Sequence, residues 1–442
     1  MIMAKAITPE QITAYRQQLL NIHGSSALSR AVQNVGPDAA SRGPLEQAGV
    51  KPAFSLELDT GAVTNQKQSG RCWMFAELNT MRHFSSAKFG IKDMEFSQAY
   101  LAFYDRLEKS NLFLEEIIDS ADKPLSDRAV ADYLTQPNGD GGQYDNAPAL
   151  IEKYGLVPKA AMPETYNSSK TAELNSVLNL KLRKSASELR AAFAAGASHD
   201  DLEAQKTKQL SAIYRILAYA YGNPPTTFDF EYRDTDKQYH RDAHLTPQAF
   251  YAKYVGWDLN TYVDIISSPA ADKEYYQTYT LPDWDKVVGG RQVKLVNVPQ
   301  DVFQSLIIAQ LKAGETVWFG NDVLEDMDRD SGTLVGDLYD MSTLFDVDLE
   351  MTKADRFATR QAHVSHAMTF TGVDLVNDQP TKWKVENSWG KDRGHDGYFT
   401  ADQRWFKAYV YEAAIREDLL PQAVKDAMAK PAIVLPTWDP LA

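Results

Sequence analysis

The chain has 442 residues, 44% of them apolar, with 18 Phe, 8 Trp and 22 Tyr, so it can build a sizeable core and wholesale disorder is excluded. Its 60 Asp and Glu against 46 Lys and Arg give a net charge of −14, the wrong sign for a phosphate-binding surface, and no nucleic-acid partner is expected. The single cysteine excludes an intramolecular disulfide, no apolar run is long enough to span a membrane, and residues 1–20 lack the apolar stretch of a signal peptide; a cytoplasmic location is expected.

In chain order, Thr8-Pro9-Glu10-Gln11 opens a helix with a capping box. Residues 23–64 are broken by Gly24, Gly36, Pro37, Gly43, Pro44, Gly49 and Pro52 and read as an irregular crossing arm. From Cys72 the apolar spacing turns helical through Met74, Leu78, Met81 and Phe84, and a second helical stretch covers 97–118. Gln136-Pro137-Asn138-Gly139-Asp140-Gly141-Gly142 is the sharpest loop. Residues 168–221 look like a helical insertion, and strands follow at 293–298, 316–320, 366–376 and 383–389, the last two flanking a turn at 377–380. Helices early and strands late predict an α+β fold. The expected divisions are 1–64, an N-terminal helix and arm; 65–167, a helical lobe; 168–290, a mostly helical insertion; 291–425, a β-rich lobe; and 426–442, a C-terminal arm.

The chemistry centres on Cys72. Ser69-Gly70 leads directly into the helix, placing the thiol at a helix N-terminus, where the macrodipole favours a thiolate. A thiolate nucleophile needs a base, a group orienting that base, and donors for an oxyanion. His366, opening an apolar strand, is the candidate base, with His363 as its rival; Asn387 supplies an acceptor to orient the ring, and Trp389 cover for that hydrogen bond. Gln66 and the Cys72 backbone N–H supply the oxyanion donors. Taken singly, each has an ordinary structural explanation: a small buried thiol, a surface glutamine, a satisfied core histidine, an asparagine closing a strand. His363 and His366 form an HxxH with no third ligand at metal spacing, and neither a metal nor a cofactor is expected.

In chain order, however, Gln66, Cys72-Trp73, His366 and Asn387-Ser388-Trp389-Gly390 resemble the papain family. The segments 64–82, 140–146, 155–169, 338–356, 365–376 and 382–390 resemble more closely its aminopeptidase C and bleomycin hydrolase branch, with Gly70-Arg71-Cys72-Trp73 as the branch's signature. The resemblance runs nearly end to end. It implies a papain-like core of a helical and a β-rich lobe with the active site in the cleft between them, and a thiol peptidase acting on oligopeptides. It also implies a homohexamer, Gly141 and Gly142 lining the substrate cleft, Trp73 and Trp389 in support, and a terminal carboxylate at Ala442 holding the substrate's α-amine. The tail after Trp438-Asp439-Pro440 looks a few residues shorter than in the aminopeptidase members, which raises the alternative of cleavage inside oligopeptides. One other motif, Asp326 to Asp337, imitates a calcium loop but has Ser331 where a turn glycine is needed and Asp337 where a glutamate is; it reads as a solvated acidic loop.

Overall fold

The computed structural model describes residues 5–44 and 49–441. Thr8 caps the helix Pro9–Asn21 with a capping box: its hydroxyl accepts the Gln11 N–H at 3.3 Å, and its own N–H donates to Gln11 Oε1 at 2.9 Å. Within the segment expected to be an irregular arm, Ser25–Ser41 is instead helical, in two stretches that meet at Gly36, whose φ of 82° and ψ of 165° lie outside the helical region. Proline is well suited to a helix's first turn, so Pro37 restarts the helix after the kink rather than ending it. Neither helix buries a residue.

The helical lobe is organised by the helix Cys72–Phe89, which buries Trp73, Met74, Leu78 and Met81, and by Gln98–Asp119, capped by Ser97. Helices Ala172–Ala194 and His199–Tyr221 form a hairpin against Gln98–Asp119. Leu178, Leu182 and Leu189 from one and Leu202, Ile213 and Leu217 from the other enter the same core. The long helices of the insertion end at Tyr221, and only one further short helix, Pro247–Tyr254, follows before residue 290. Residues expected to be mostly helical up to 290 include a hairpin, Phe228–Arg233 with Tyr239–Leu245, and two strands of the main sheet, Tyr262–Ile266 and Gln277–Thr280. Tyr262–Ile266 is buried at every position, so it shows none of the alternation that marks a half-exposed strand.

The main sheet is continuous. From one edge it runs Ile433–Val434, Gln277–Thr280, Lys294–Asn297, Tyr262–Ile266, Val410–Arg416, Val317–Asn321, His366–Val376, Gln379–Glu386, Tyr398–Asp402, Thr333–Leu334 and Met327–Asp328. Leu56–Glu57 joins it by pairing with His366–Val376. Asn377 and Asp378 take positive φ (51° and 61°), the left-handed pair that a two-residue hairpin turn requires. The helix Cys72–Phe89 lies against the sheet at His366–Val376 and Val317–Asn321. There Trp318 Nε1–H donates to the Trp73 carbonyl at 3.0 Å and Thr369 Oγ1–H to that of Ala76 at 3.2 Å. The result is the papain-like α+β architecture, with its cleft along the seam between helix and sheet.

Candidate active site

Cys72 is the first residue of its helix, preceded by an Arg71 that makes no side-chain cap, and it is half-buried. The backbone N–H groups of Trp73 and Ala367 lie near its sulfur and favour the thiolate there, so the thiol lies beside the residue that follows His366. The loop before the helix is tied down by Asp140. One carboxylate oxygen accepts from the Gly70 N–H at 2.7 Å and from Thr171 Oγ1–H at 2.5 Å, while the Asp140 carbonyl accepts from Trp73 Nε1–H at 2.9 Å. Arg71, 1% exposed, forks onto Glu164 at 3.0 and 2.7 Å and donates to Ser69 Oγ at 3.0 Å. A planar guanidinium suits that bidentate geometry, which gives Arg71 a structural role behind Cys72.

His366 opens its strand opposite Asn321, and the antiparallel register that sets Thr369 against Glu386 brings Asn387 back toward it. His366 Nε2–H donates to Asn387 Oδ1 at 2.9 Å; that oxygen also accepts the Ser388 N–H at 2.8 Å, which identifies it as the amide oxygen. Nε2 is thereby occupied, leaving Nδ1 as the nitrogen free to exchange a proton with sulfur. The Trp389 ring lies 5.0 Å from the imidazole, and His366 and Asn387 are both buried. Gln66 is fixed at both ends of its amide: Oε1 accepts from Ser388 Oγ–H at 2.6 Å and Nε2–H donates to the Ser69 carbonyl at 2.7 Å. Its second N–H remains for an oxyanion in the cleft that Gln66, Cys72 and His366 all line.

Burial raises the Cys72 thiol to about 11, opposed by the N–H groups of Ala367 and Trp73. Burial likewise lowers His366 to about 4; Asn387 opposes this and the charge of Arg329 adds to it. A lone thiolate or a lone imidazolium is therefore disfavoured here, whereas the two side by side offset each other. The arrangement suits transfer of one proton from sulfur to ring as the nucleophile meets a carbonyl.

Gly141 and Gly142 line the same cleft but differ. A Cβ on Gly141 would meet open space, whereas one on Gly142 would sit 2.6 Å from the Trp73 indole, so Gly142 is set by packing. His363 also lines the cleft and has no hydrogen bond to Asn387. The C-terminal arm reaches the cleft wall: Gln143 Nε2–H donates to the Leu441 carbonyl at 3.0 Å. Ala442 lies outside the described residues. The carboxylates of the acidic loop go to separate partners: Asp328 to Arg42, Asp330 to Arg393, Asp337 to Arg404, and Asp326 to the Tyr409 hydroxyl. Among the described residues no three His, Cys, Asp or Glu side chains gather as a metal site. Asp140, Glu164, Gln143 and Arg329 were not singled out from the sequence. The first three lie in segments that carry the resemblance; Arg329 stands outside them.

The chain matches the Peptidase C1-like family over residues 6–442. It is 47% identical over 443 residues to Aminopeptidase C of Lactobacillus delbrueckii subsp. lactis, covering 99% of this chain and 98% of that one. It is 45% identical over 441 residues to Aminopeptidase E of Lactobacillus helveticus, with full coverage of both (100% each). The crystal structure of PepW from Lactobacillus rhamnosis superposes with a TM-score of 0.97 at 52% identity, covering 99% of each chain.

Proposed function

The chain belongs to the Peptidase C1-like family of cysteine peptidases, and we propose that it trims oligopeptides from a free N-terminus. In this reading the Cys72 thiolate attacks the carbonyl of the first residue while Gln66 and the Cys72 N–H hold the oxyanion. His366, oriented by Asn387, gives its proton to the departing amine. Water activated by the same imidazole then opens the thioester and frees the N-terminal residue. The reaction needs no cofactor, though it needs a reducing medium because an accessible thiolate oxidises.

The observation that carries trimming over internal cleavage is the anchoring of the C-terminal arm. The Leu435 N–H donates to the Thr280 carbonyl at 2.9 Å, Asp439 pairs with buried Lys273 at 2.8 Å, and Leu441 (1% exposed) packs among Ile266, Tyr279 and Tyr411. Leu441 thus rests on the loop that carries Gly141 and Gly142, at the end of the cleft assigned to the substrate's ammonium. A mass-spectrometric time course on one ten-residue peptide, free and N-acetylated, tests this. Stepwise loss from the free form alone is expected; internal fragments from both forms would establish an oligoendopeptidase instead.

The same reading takes the protein as a cytoplasmic homohexamer. The arm helix Pro9–Asn21 exposes Ile12, Tyr15, Leu19 and Leu20, an apolar face suited to cover by a second copy. Light scattering that returned a monomer mass would remove the hexamer from the proposal.

A further inference from the structure

The two ends of the cleft are chemically unlike. At the end walled by Gln143 and the C-terminal arm, the floor holds Glu412, which is 1% exposed with Oε2 unpartnered. At the other end, past Trp389, the lining residues are Asn65, Lys67, Arg329 and Arg393. If the N-terminus of a peptide lies toward the arm, as trimming requires, the leaving portion lies along this second, cationic end.

Arg329 is the distinctive group there. Its guanidinium carbon sits 4.4 Å from the centre of the Trp389 ring, which itself packs 5.0 Å from the His366 ring. Stacking on an indole holds a guanidinium in one plane while leaving its N–H edges free to donate. The two acids beside it in sequence are engaged elsewhere, Asp328 by Arg42 and Asp330 by Arg393. No ion pair joins Arg329 to a described carboxylate, and its charge reaches the catalytic imidazole. A cation that lines the cleft and stacks on the indole packed against the general acid is arranged to receive an anion that arrives with the substrate.

We propose that Arg329 is a carboxylate-binding specificity residue on the leaving-group side of the cleft. The carboxylate is carried by the residue just after the scissile bond, as the free C-terminus of a dipeptide or as an Asp or Glu side chain. The direction of the peptide rests on the trimming reading. A substrate with an ammonium at one end and a carboxylate at the other would then match the cleft's own polarity, and short zwitterionic peptides would be favoured over capped ones of equal length.

The test compares kcat and KM for Leu-Ala with Leu-Ala-amide, and for Leu-Asp-amide with Leu-Asn-amide, in the wild type, R329Q and R329K. The first pair reads the terminal carboxylate and the second the side chain. Wild type is expected to favour the carboxylate member of at least one pair by about tenfold, chiefly in KM. In R329Q that ratio falls to about one; in R329K part of it returns, because lysine keeps the charge without the fork. Arg329 is exposed, so R329Q is expected to melt with the wild type. An unbiased wild type, or an R329Q that keeps the wild-type ratio, overturns the proposal. The ten-residue peptide, free and acetylated, is run beside these. Internal cutting of the acetylated form together with a ratio lost only in R329Q removes trimming and keeps Arg329; resistance of the acetylated form with no carboxylate preference does the reverse.

Discussion

The helix Cys72–Phe89 meets the sheet at two places that use similar residues for opposite ends. At its start a thiol, an imidazole and an amide line an open cleft, and burial disfavours a charge on either of the first two alone. Three turns on, Arg82 and His83 meet Glu386 with no route to solvent, His83 Nε2 lying 2.8 Å from its carboxylate. Burial pushes Glu386 up, but His83 and Arg82 more than reverse this and hold it below the usual carboxylate range. Glu386 and Asn387 are consecutive, so one peptide bond separates a residue of the scaffold from one of the site. The same side-chain chemistry serves reaction where a cleft gives access and cross-linking where the lobes close over it. Behind the site, a fully buried charge network holds helix and strand in the register the front requires.

This contrast can be broken, beginning with the largest effect. Cys72→Ala is expected to lower turnover by more than about 10⁴-fold while leaving the thermal midpoint nearly unchanged. Substantial residual hydrolysis would remove Cys72 from the mechanism. Glu386→Gln is expected to do the opposite: removing one partner of a buried pair costs about 3–5 kcal/mol in urea unfolding, with the surviving folded fraction still turning over. A stable but inactive E386Q would erase the distinction between front and back. Asn387→Ala is expected to reduce kcat by about 10²-fold with little change in KM, because the ring loses its orientation and not its substrate. A change confined to KM would contradict that role.

The smallest effect sharpens the comparison through pH. Burial lowers His83 from its usual value, so on acidification the unfolded chain takes up this proton first. Stability is therefore full above about pH 6.5 and declines as pH falls below it. The depressed Glu386 adds its own loss lower down, as pH drops through the carboxylate range toward its folded value. His83→Gln is expected to flatten the upper part of this decline, read as a smaller drop in urea midpoint between about pH 6.5 and 5.5. An unaltered slope there would show that another group titrates.

Much of the site was legible in the sequence because its residues are few, chemically specific and locally framed. A thiol after Ser-Gly at a helix start and an Asn-Ser-Trp-Gly at a strand end each carry their meaning within a few positions. Fold elements marked by local signals were legible for the same reason: the Thr8 capping box and the 377–378 turn lie within four residues of everything that makes them. The helical stretches of Ser25–Ser41 were obscured because Gly36 does interrupt them, but Pro37 then suits the first turn of the next stretch, so the pair marks a junction between helices and not an irregular arm. The sheet strands Tyr262–Ile266 and Val410–Arg416 were obscured because burial on both faces removes alternation, and Glu412-Ala413-Ala414 suits a helix equally well.

The sequence by itself therefore determined the candidate set: a cysteine, a histidine, an asparagine and a glutamine in papain-like order, on an α+β chain. Tertiary structure alone decided which charges face one another. Arg71 meets Glu164 across 93 residues of chain, Arg82 meets Glu386 across 304, and the Leu441 carbonyl meets Gln143 across 298. Whether an arginine finds a partner, as Arg393 does, or is left facing the cleft, as Arg329 is, depends on what the rest of the fold brings within about 4 Å of it, and pairings over such separations leave no periodicity or spacing along the chain.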